Sequence, residues 1–334
     1  MKIPCTIMRG GTSKGIILRP GNLPSDPAAR DAIILRIFGS PDRRQIDGLG
    51  GADPLTSKLA LVGPPSRADA DIDYTFADVL IQHATVDYSG YCGNITSAVA
   101  AYAVDEGFAP IAEPVTIVRI HNTNTKRLIT ASVLVEHGRV VERGDVVIAG
   151  VPGSGAPILL DFADTSGCFT GRLLPVGIST NLPGPDGVMA SVLDVGNPMV
   201  FVPAAAFGVA VTDGLEELNG RTELLRALSD LRIAGARMLG LFENGRPISE
   251  SVPAVALVAA PAEYGSYSTG QMIAAETMDV WAREFFLGSF HKAYACPRPS
   301  VRPLPRQSRE PSLTSWHASA RRNAERSVSG IRVG

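Results

Sequence analysis

Lysine is scarce in this chain of 334 residues, which has 31 lysines and arginines together but only five lysines. Arginine supplies most of the positive charge, so a lysine is needed only where an amine must lose its proton, which a guanidinium cannot do near neutral pH. Lys14 and Lys58 both follow a Thr-Ser pair in glycine-rich segments. Lys58 lies within GGADPLTSKLA, residues 50–60, where glycine allows substrate to approach the backbone closely. Lys58 is therefore a candidate base.

Other absences exclude whole classes of function. The net charge of −2 lacks the positive excess of a nucleic-acid-binding protein. No run approaches the roughly 18 apolar residues of a membrane-spanning helix. The four cysteines are widely spaced without a CxxC pair, which argues against a zinc site or a disulfide framework. No GxGxxG motif follows a strand, which argues against a nucleotide-binding sheet. We therefore expect a cytoplasmic protein that acts on a small molecule without a metal or cofactor.

The pattern of apolar residues along the chain predicts many strands and few helices. Alternation and β-branched content predict strands over 3–8, 15–19, 73–81, 116–122, 127–135 and 138–150, and a buried strand within 252–262. Helical spacing predicts helices over 27–39, after Asn94, and over 220–240. The chain is long enough for two domains, and glycine, serine and proline cluster near residue 150. The pattern predicts two strand-rich halves, 1–150 and 151–295.

A Cys-Gly-Asn sequence opens the alanine-rich helix. Cys92 would then lie at a helix N-terminus, where free N–H groups and the helix dipole favour a thiolate or a bound carboxylate. Gly93 and Asn94 would provide a cradle for one substrate carboxylate. The alternative is that Cys92 is a small buried residue beside a turn.

A second cradle for a carboxylate is expected in the GGTS turn. This turn offers successive N–H groups and two hydroxyls from Gly11, Thr12 and Ser13. Arg9 is a candidate charge partner there, although an arginine beside a turn can equally be structural or solvated. Ser57, next to Lys58, is a candidate substrate contact with a local cap as the alternative.

Seven segments between residues 8 and 202 resemble the motifs of the PrpF family, in order and at sensible spacing, and the resemblance covers about residues 3–295. They are MRGGTSKG (8–15), RQIDGLGGADPLTSK (44–58), CGN (92–94), HNTNTK (121–126), GVPGSGAPILLDF (150–162), LLPVG (173–177) and DVGNPMVFV (194–202). The family includes 2-methylaconitate and aconitate isomerases, 3-methylitaconate isomerase and 4-oxalomesaconate tautomerase, and it is structurally related to diaminopimelate epimerase. Residues 33–62 and 115–126 look closest to the 3-methylitaconate isomerase branch.

The resemblance implies a two-lobed, diaminopimelate epimerase-like α+β fold. In that fold each lobe is a curved sheet or barrel around a central helix, and the active site lies in the cleft between lobes. The resemblance places Cys92 at the tip of the first central helix and Lys58 across the cleft. Asn197, in a Gly-Asn-Pro sequence, resembles the asparagine that faces substrate in the epimerase relatives, and a simple turn before Pro198 is the alternative.

The implied activity is a cofactor-independent 1,3-allylic proton shift in a small unsaturated di- or tricarboxylate such as methylitaconate, 2-methylaconitate or aconitate. Such a shift needs a base near its working pKa and N–H groups to cradle carboxylates. Lys58 could serve both ends of the shift if burial lowers its pKa to about 7 to 8. Alternatives are a 4-oxalomesaconate keto–enol tautomerase, an amino-acid epimerase that pairs Cys92 with Cys296, and an inactive truncated homologue. A homodimer is an open alternative to a monomer.

The chain departs from the family pattern after residue 295, where the second central helix is expected. Residues 296–334 contain eight arginines, no lysine, and five prolines in their first 16 positions. This composition predicts an out-of-frame or disordered tail and an incomplete second lobe. A natural basic tail is the alternative.

Overall fold

The computed structural model describes residues 2–184, 187–241 and 248–294, and the strand at 331–333. The chain divides into unit 1, Met1–Thr165 with Ser327–Gly334, and unit 2, Ser166–Arg326. None of the helices in the described part of the chain is both long and apolar enough to cross a bilayer.

Unit 1 contains most of the motifs that the sequence analysis singled out. Its α-helices are α1 (Pro27–Phe38) and α2 (Gly93–Asp105). Its strands up to residue 165 are β1 (Thr6–Gly10), β2 (Ser13–Leu18), β3 (Lys58–Gly63), β4 (Ile72–Val79), β5 (Val86–Asp87), β6 (Val115–Asn122), β7 (Arg127–Glu136), β8 (Arg139–Val140) and β9 (Ile158–Asp161).

The strands of unit 1 form one sheet in the order β1-β2-β3-β4-β6-β7-β9, with β5 paired to β4 and β8 to β7. Helix α2 contacts β1, β2 and β3 near one end of this order and β6, β7 and β9 near the other. The sheet must therefore curl around α2. Every residue of α2 from Gly93 to Val104 is buried, which the small alanine side chains make possible. The predicted central helix of the first lobe is confirmed.

Helix α1 covers the opposite face of the same sheet. Asp26 caps its start by accepting a hydrogen bond from Ala29 N at 2.8 Å, and Gly39 ends it in the left-handed conformation with φ 78°. The apolar cluster on this face consists of Ile16, Leu18, Ile34, Phe38, Leu59, Leu61, Ala77 and Val79. Because side chains alternate along a strand, the intervening residues of β3 and β4 point towards α2.

Unit 2 is built on a second sheet. Its strands are β10 (Thr180–Leu182), β11 (Val188–Val195), β12 (Asn197–Pro203), β13 (Ala254–Ala259), β14 (Tyr264–Gly265), β15 (Met272–Ile273), β16 (Trp281–Phe286) and β17 (Ser289–Phe290). The sheet order is β10-β11-β12-β13-β16-β17, and β14 pairs with β15 alone. The helices are α3 (Leu215–Gly220) and α4 (Thr222–Met238). A last strand, β18 (Ile331–Val333), pairs antiparallel with β9 of unit 1.

The sheet of unit 2 is apolar on both faces. The apolar side chains of α3 and α4 pack on one face, in a cluster that includes Leu218, Leu228, Val200, Val255 and Trp281. The other face carries a second cluster of Leu193, Met199, Phe201, Ala254, Ala256 and Phe286. The expected second central helix falls after residue 295, outside the described residues. The predicted tail at 296–334 also lies outside them, apart from β18.

Two sequence-based expectations differ from the structure. The strand predicted over 138–150 is wrong for most of its length, since only β8 and a bridge from Val146 to Gly155 form there and Val147 is 72% exposed. The β-branched residues of this segment favour a strand, but outside β8 and this bridge they pair with no strand among the described residues. The division between units falls after Thr165 rather than at residue 150, because β9 pairs with β7 and keeps its segment in unit 1.

Candidate functional site

Lys58 is the first residue of β3 and forms a buried ion pair. Its Nζ lies 3.0 Å from Asp78 Oδ1, and the two side chains are 5% and 3% exposed. Lys58 and Asp78 are directly opposed in the antiparallel register of β3 and β4, so their side chains share one face of the sheet. The Nζ also lies 5.3 Å from the centre of the Phe76 ring. The carboxylate partner was missing from the sequence-based hypothesis.

The face that carries Lys58 is the one that looks towards α2. Gly15 is the partner of Lys58 across β2 and β3. A Cβ atom at Gly15 would lie 2.9 Å from Ile95 Cδ1 of α2. The sheet and the helix are therefore in close contact beside the lysine.

Tyr74 connects the same face of β4 to the start of α2. Its hydroxyl lies 3.5 Å from the carbonyl oxygen of Cys92. Burial, with a smaller effect from the neighbouring Cys92, raises the pKa of Tyr74 well above its usual range, and Asp78 acts in the same direction. Tyr74 is thus a neutral hydroxyl near both Cys92 and the partner of Lys58.

Cys92 occupies the N-cap position of α2, as predicted from the Cys-Gly-Asn sequence. Its backbone is extended, with φ −123° and ψ 113°, and its side chain makes no capping hydrogen bond. Its carbonyl oxygen accepts hydrogen bonds from Thr96 N at 3.0 Å and Thr96 Oγ1 at 2.9 Å. The first N–H groups of a helix have no partner within the helix. This end of α2 is therefore suited to an anion.

The GGTS turn packs directly on that end of α2. Asn94 Nδ2 donates to Thr12 Oγ1 at 3.0 Å and to Ser13 Oγ at 3.5 Å. A Cβ atom at Gly10 would lie 2.0 Å from Asn94 O, and one at Gly11, where φ is +52°, would lie 2.1 Å from Asn94 Oδ1. Only glycine allows this approach. The two carboxylate cradles expected from separate motifs therefore lie side by side.

Ser57 holds the loop before β3 in place. Its hydroxyl donates to Val79 O at 2.7 Å and accepts from Gln45 Nε2 at 2.8 Å. Gln45 Oε1 accepts from Ala52 N at 2.8 Å, which ties the glycine-rich loop to the same buried amide. Ser57 thus makes long-range contacts rather than the local cap considered as its alternative. Gln45 lies inside a recognised motif, but its role depends on contacts that spacing does not reveal.

The other predicted site residues are Arg9 and Asn197. Arg9 is exposed, and its Nη1 donates to Gly11 O at 2.8 Å. Asn197 belongs to unit 2, where it is buried at the start of β12 just after Gly196, whose φ is +76°. Cys296, the second cysteine of the epimerase alternative, lies outside the described residues.

Sequence reasoning missed two acidic residues of this site. Asp78 and its cross-strand neighbour Asp87 are both buried. The available signal was a carboxylate inside the alternating strand DYTFADVLI, where Tyr74, Phe76 and Asp78 share a face. Among the described residues, no group of His, Cys, Asp and Glu side chains is arranged to hold a metal ion.

Comparison with known proteins shows which family and which named isomerases the chain is similar to. A protein-family profile described as PrpF protein matches residues 1–298. The chain is 47% identical over 300 residues to 3-methylitaconate isomerase of Eubacterium barkeri, covering 88% of this chain and 79% of the relative. It is 40% identical over 273 residues to 4-oxalomesaconate tautomerase of Pseudomonas putida, covering 81% and 74%. A crystal structure of methylitaconate-delta-isomerase matches with a TM-score of 0.69 at 46% identity, covering 89% of this chain and 78% of that one. The predicted α+β fold is confirmed by this match.

Proposed function

Because this chain belongs to the PrpF family, we propose that it moves a proton by a 1,3-allylic shift in a small unsaturated di- or tricarboxylate. The chain is an isomerase, as its relatives are, and the proposal adds the substrate class and the roles of residues. The observation that carries it is the meeting of the two cradles at the start of α2, on the sheet face where Lys58 lies. The proposal includes action in the cytoplasm without a nucleic-acid partner.

The proton would travel on Lys58. The neutral amine removes a proton from the carbon beside the double bond, and the electron pair of that C–H bond spreads through a dienolate onto a carboxylate oxygen. The ammonium then returns a proton to the far end of the allylic system, and the double bond is left one position away. Lysine and solvent end the cycle as they began it. One base on one face of the substrate is sufficient.

The two cradles would hold the carboxylates and the dienolate. The N–H groups at Gly93 and Asn94 and the positive end of the α2 dipole stabilise the negative charge that develops on oxygen. The hydroxyls of Thr12 and Ser13 offer donors to a second carboxylate. Cys92 is proposed as a second catalytic group in a supporting role, in which it frames the first cradle while Lys58 carries the proton.

Four remaining residues have roles proposed from the sequence. They are Arg9 as a charge partner, and Gly11, Ser57 and Asn197 as substrate contacts. The structure supports a positioning role for Ser57, because its hydroxyl already has two buried partners.

The substrate can be identified by direct assay. We place methylitaconate first because the relative named for it shares 47% of aligned residues. The purified protein should be incubated in D2O with methylitaconate, 2-methylaconitate, aconitate and oxalomesaconate, and followed by ultraviolet absorbance and proton NMR. Conversion of one acid with deuterium at the allylic carbon is expected. Failure to convert any of the four would contradict the proposal.

Replacing the proposed base provides the sharpest test. Lys58→Ala should reduce turnover and solvent deuterium exchange by about a hundredfold or more, because general-base catalysis commonly contributes that much. Lys58→Gln, which keeps a polar side chain beside Asp78, should behave alike. Lys2→Ala removes an exposed lysine and should leave the rate unchanged. Retention of more than about a tenth of the rate in a folded Lys58→Ala protein would exclude the amine as the proton carrier.

A further inference from the structure

Three ionisable side chains form a row across neighbouring strands of unit 1. Lys58 of β3 is opposed to Asp78 of β4, and Asp78 is opposed to Asp87 of β5. The three residues are 4%, 2% and 8% exposed. Directly opposed residues of antiparallel strands place their side chains on the same face. One buried amine therefore shares a face with two buried carboxyl groups.

The backbone beside the Lys58–Asp78 pair is clamped. Ser57 precedes the lysine and Val79 follows the aspartate. Ser57 Oγ donates to Val79 O at 2.7 Å, and Val79 N donates to Ser57 O at 3.1 Å. These two hydrogen bonds fix the register of β3 and β4 at the point where Nζ and Oδ1 are 3.0 Å apart. The contact between the amine and the carboxylate is thus built into the strand pairing.

We propose that Asp78 is a positioning residue for Lys58, which fixes the amine at the start of β3 and, together with Asp87, governs how readily it releases its proton. The inference rests on the proposed function, in which Lys58 carries the substrate proton. Asp78 touches the amine and acts through it.

Two opposing effects act on the amine. A carboxylate 3.0 Å away favours the ammonium form, whereas burial favours the neutral amine. Removing the charge of Asp78 leaves burial to act with less opposition, so the amine should become easier to deprotonate. Asp87 adds negative charge one strand further away, and its removal should have the same direction and a smaller size.

The neighbouring strands and α2 supply further described groups around this row. Strand β2 contributes Gly15 opposite the lysine, and the adjacent Lys14 points to the other face of the strand. Strand β4 contributes Tyr74, which burial keeps neutral by raising its pKa. The start of α2 contributes Cys92, close to Tyr74. Asp78 and Asp87 are therefore the carboxyl groups to vary.

The scarcity of lysine makes the amine directly observable. With five lysines in the chain, protein carrying 13C at lysine Cε gives few signals, and Lys58→Met identifies the one from Lys58. Asp78→Asn should lower the titration midpoint of that signal by about one to three pH units. Asp73→Asn is the matched control, because Asp73 lies on the same strand but pairs with His121 and Ser66, and it should leave the midpoint in place. An unchanged midpoint in folded Asp78→Asn would overturn the inference.

Kinetics separate the effects of charge and position. In Asp78→Asn, kcat should fall by about tenfold to a hundredfold with KM nearly unchanged, since a displaced amine slows the chemical step. Asp78→Glu keeps the charge and should restore the midpoint, but its longer side chain moves the amine and kcat should stay reduced. A rise in KM at unchanged kcat would make Asp78 a substrate contact and overturn the positioning role.

A second variant, Asp87→Asn, keeps the proposal testable if Asp78→Asn does not fold. Asp78→Asn leaves a buried amine without this partner, and the protein must first be checked by its thermal melt. If Asp78→Asn does not fold, Asp87→Asn provides the test. It should lower the titration midpoint of the Lys58 signal by a smaller amount, and an unchanged midpoint would contradict the proposed effect of the carboxyl groups on the amine. The titration needs no turnover. Absence of activity on all four acids would therefore reject the proposed function while the role of Asp78 was still measured.

Discussion

Asp71 in unit 1 and Asp194 in unit 2 are both buried carboxyl groups, and their pKa values are shifted in opposite directions. Burial alone would raise the pKa of Asp71, but hydrogen bonds from the Arg119 guanidinium and backbone N–H outweigh it and hold the pKa below its usual value. Burial raises the pKa of Asp194, and its hydrogen bonds from Thr170 and Phe169 only partly oppose this.

The deeper burial of Asp194, 0% exposed against 7% for Asp71, and the charge of the partner both contribute to this difference. Asp194 accepts from two backbone N–H groups and a hydroxyl, all of them neutral, and Asp71 accepts from a guanidinium. A full opposite charge favours ionisation more strongly than neutral donors do. Unit 1 also places Lys58 against Asp78. Asp71 and Asp78 of unit 1 thus each belong to a charge pair, whereas Asp194 of unit 2 holds the loop at Phe169 and Thr170.

The largest expected effect tests where unit 1 ends. A fragment of residues 1–150 lacks β9 and would lose the burial of Leu160 and Phe162, which are 0% and 5% exposed. At about 2 kcal/mol for each side chain, it should be about 4 kcal/mol less stable than a fragment of residues 1–165. Denaturant unfolding of the two fragments checks this. If the two fragments were equally stable, unit 1 would end at residue 150 as the sequence predicts.

Introducing a methyl group into each unit should have unequal effects. Gly10→Ala should destabilise the protein by about 3 kcal/mol and lower activity, because its Cβ would overlap the backbone oxygen of Asn94. Gly235→Ala in α4 should cost less, about 1 kcal/mol, because its Cβ would lie 2.8 Å from Cγ2 of the buried, stiff Val200 side chain rather than from backbone, and the higher helix propensity of alanine offsets part of this overpacking. Thermal melts and the isomerase assay measure both variants. Similar losses of stability in Gly10→Ala and Gly235→Ala would contradict the expected difference between the two sites.

The opposite pKa shifts predict opposite pH dependence. Asp71→Asn should cost about 2 kcal/mol near pH 7. That cost should shrink as the pH falls below about 4, because the stability from a lowered carboxyl pKa is lost on protonation. Asp194→Asn should become less costly as the pH rises, because the stability from a raised pKa is present at low pH and lost when the buried carboxyl ionises. Unfolding curves from pH 3 to pH 7 measure both slopes, and slopes of the same sign would refute the comparison.

The smallest effect is expected at the cysteines. Cys92→Ser should keep turnover within about tenfold of the natural protein, because the thiol makes no capping bond and serine is a favourable N-cap residue. Cys168→Ser in unit 2, where Sγ contacts Gly196 O at 3.0 Å, should leave turnover unchanged. Complete loss in a folded Cys92→Ser protein would instead make the thiol an obligatory acid or base.

Much of unit 1 could be predicted because its signals are local. The hairpin around the GGTS turn, the strands at 116–122 and 127–135 and the two helical segments at 27–39 and after Asn94 follow from alternation, helical spacing and turn residues, and the structure confirms them with shifted ends. The predicted helix at 220–240 corresponds to α4 after a break at Arg221. The strand at 138–150 fails because a strand also needs a neighbour to pair with, which its own residues do not specify.

The candidate site, like the fold, was predictable only in part from the sequence. The sequence by itself determined the family, the α+β class, the scarcity that singled out Lys58, and the glycines that let the turn meet Asn94. Only the tertiary structure decided that Asp78 and Asp87 lie in a row with Lys58 and that Gln45 holds Ser57. The physical reason is that these contacts join residues up to 20 positions apart through strand register and loop closure, and register depends on the packing of a whole sheet between two helices rather than on the residues in contact.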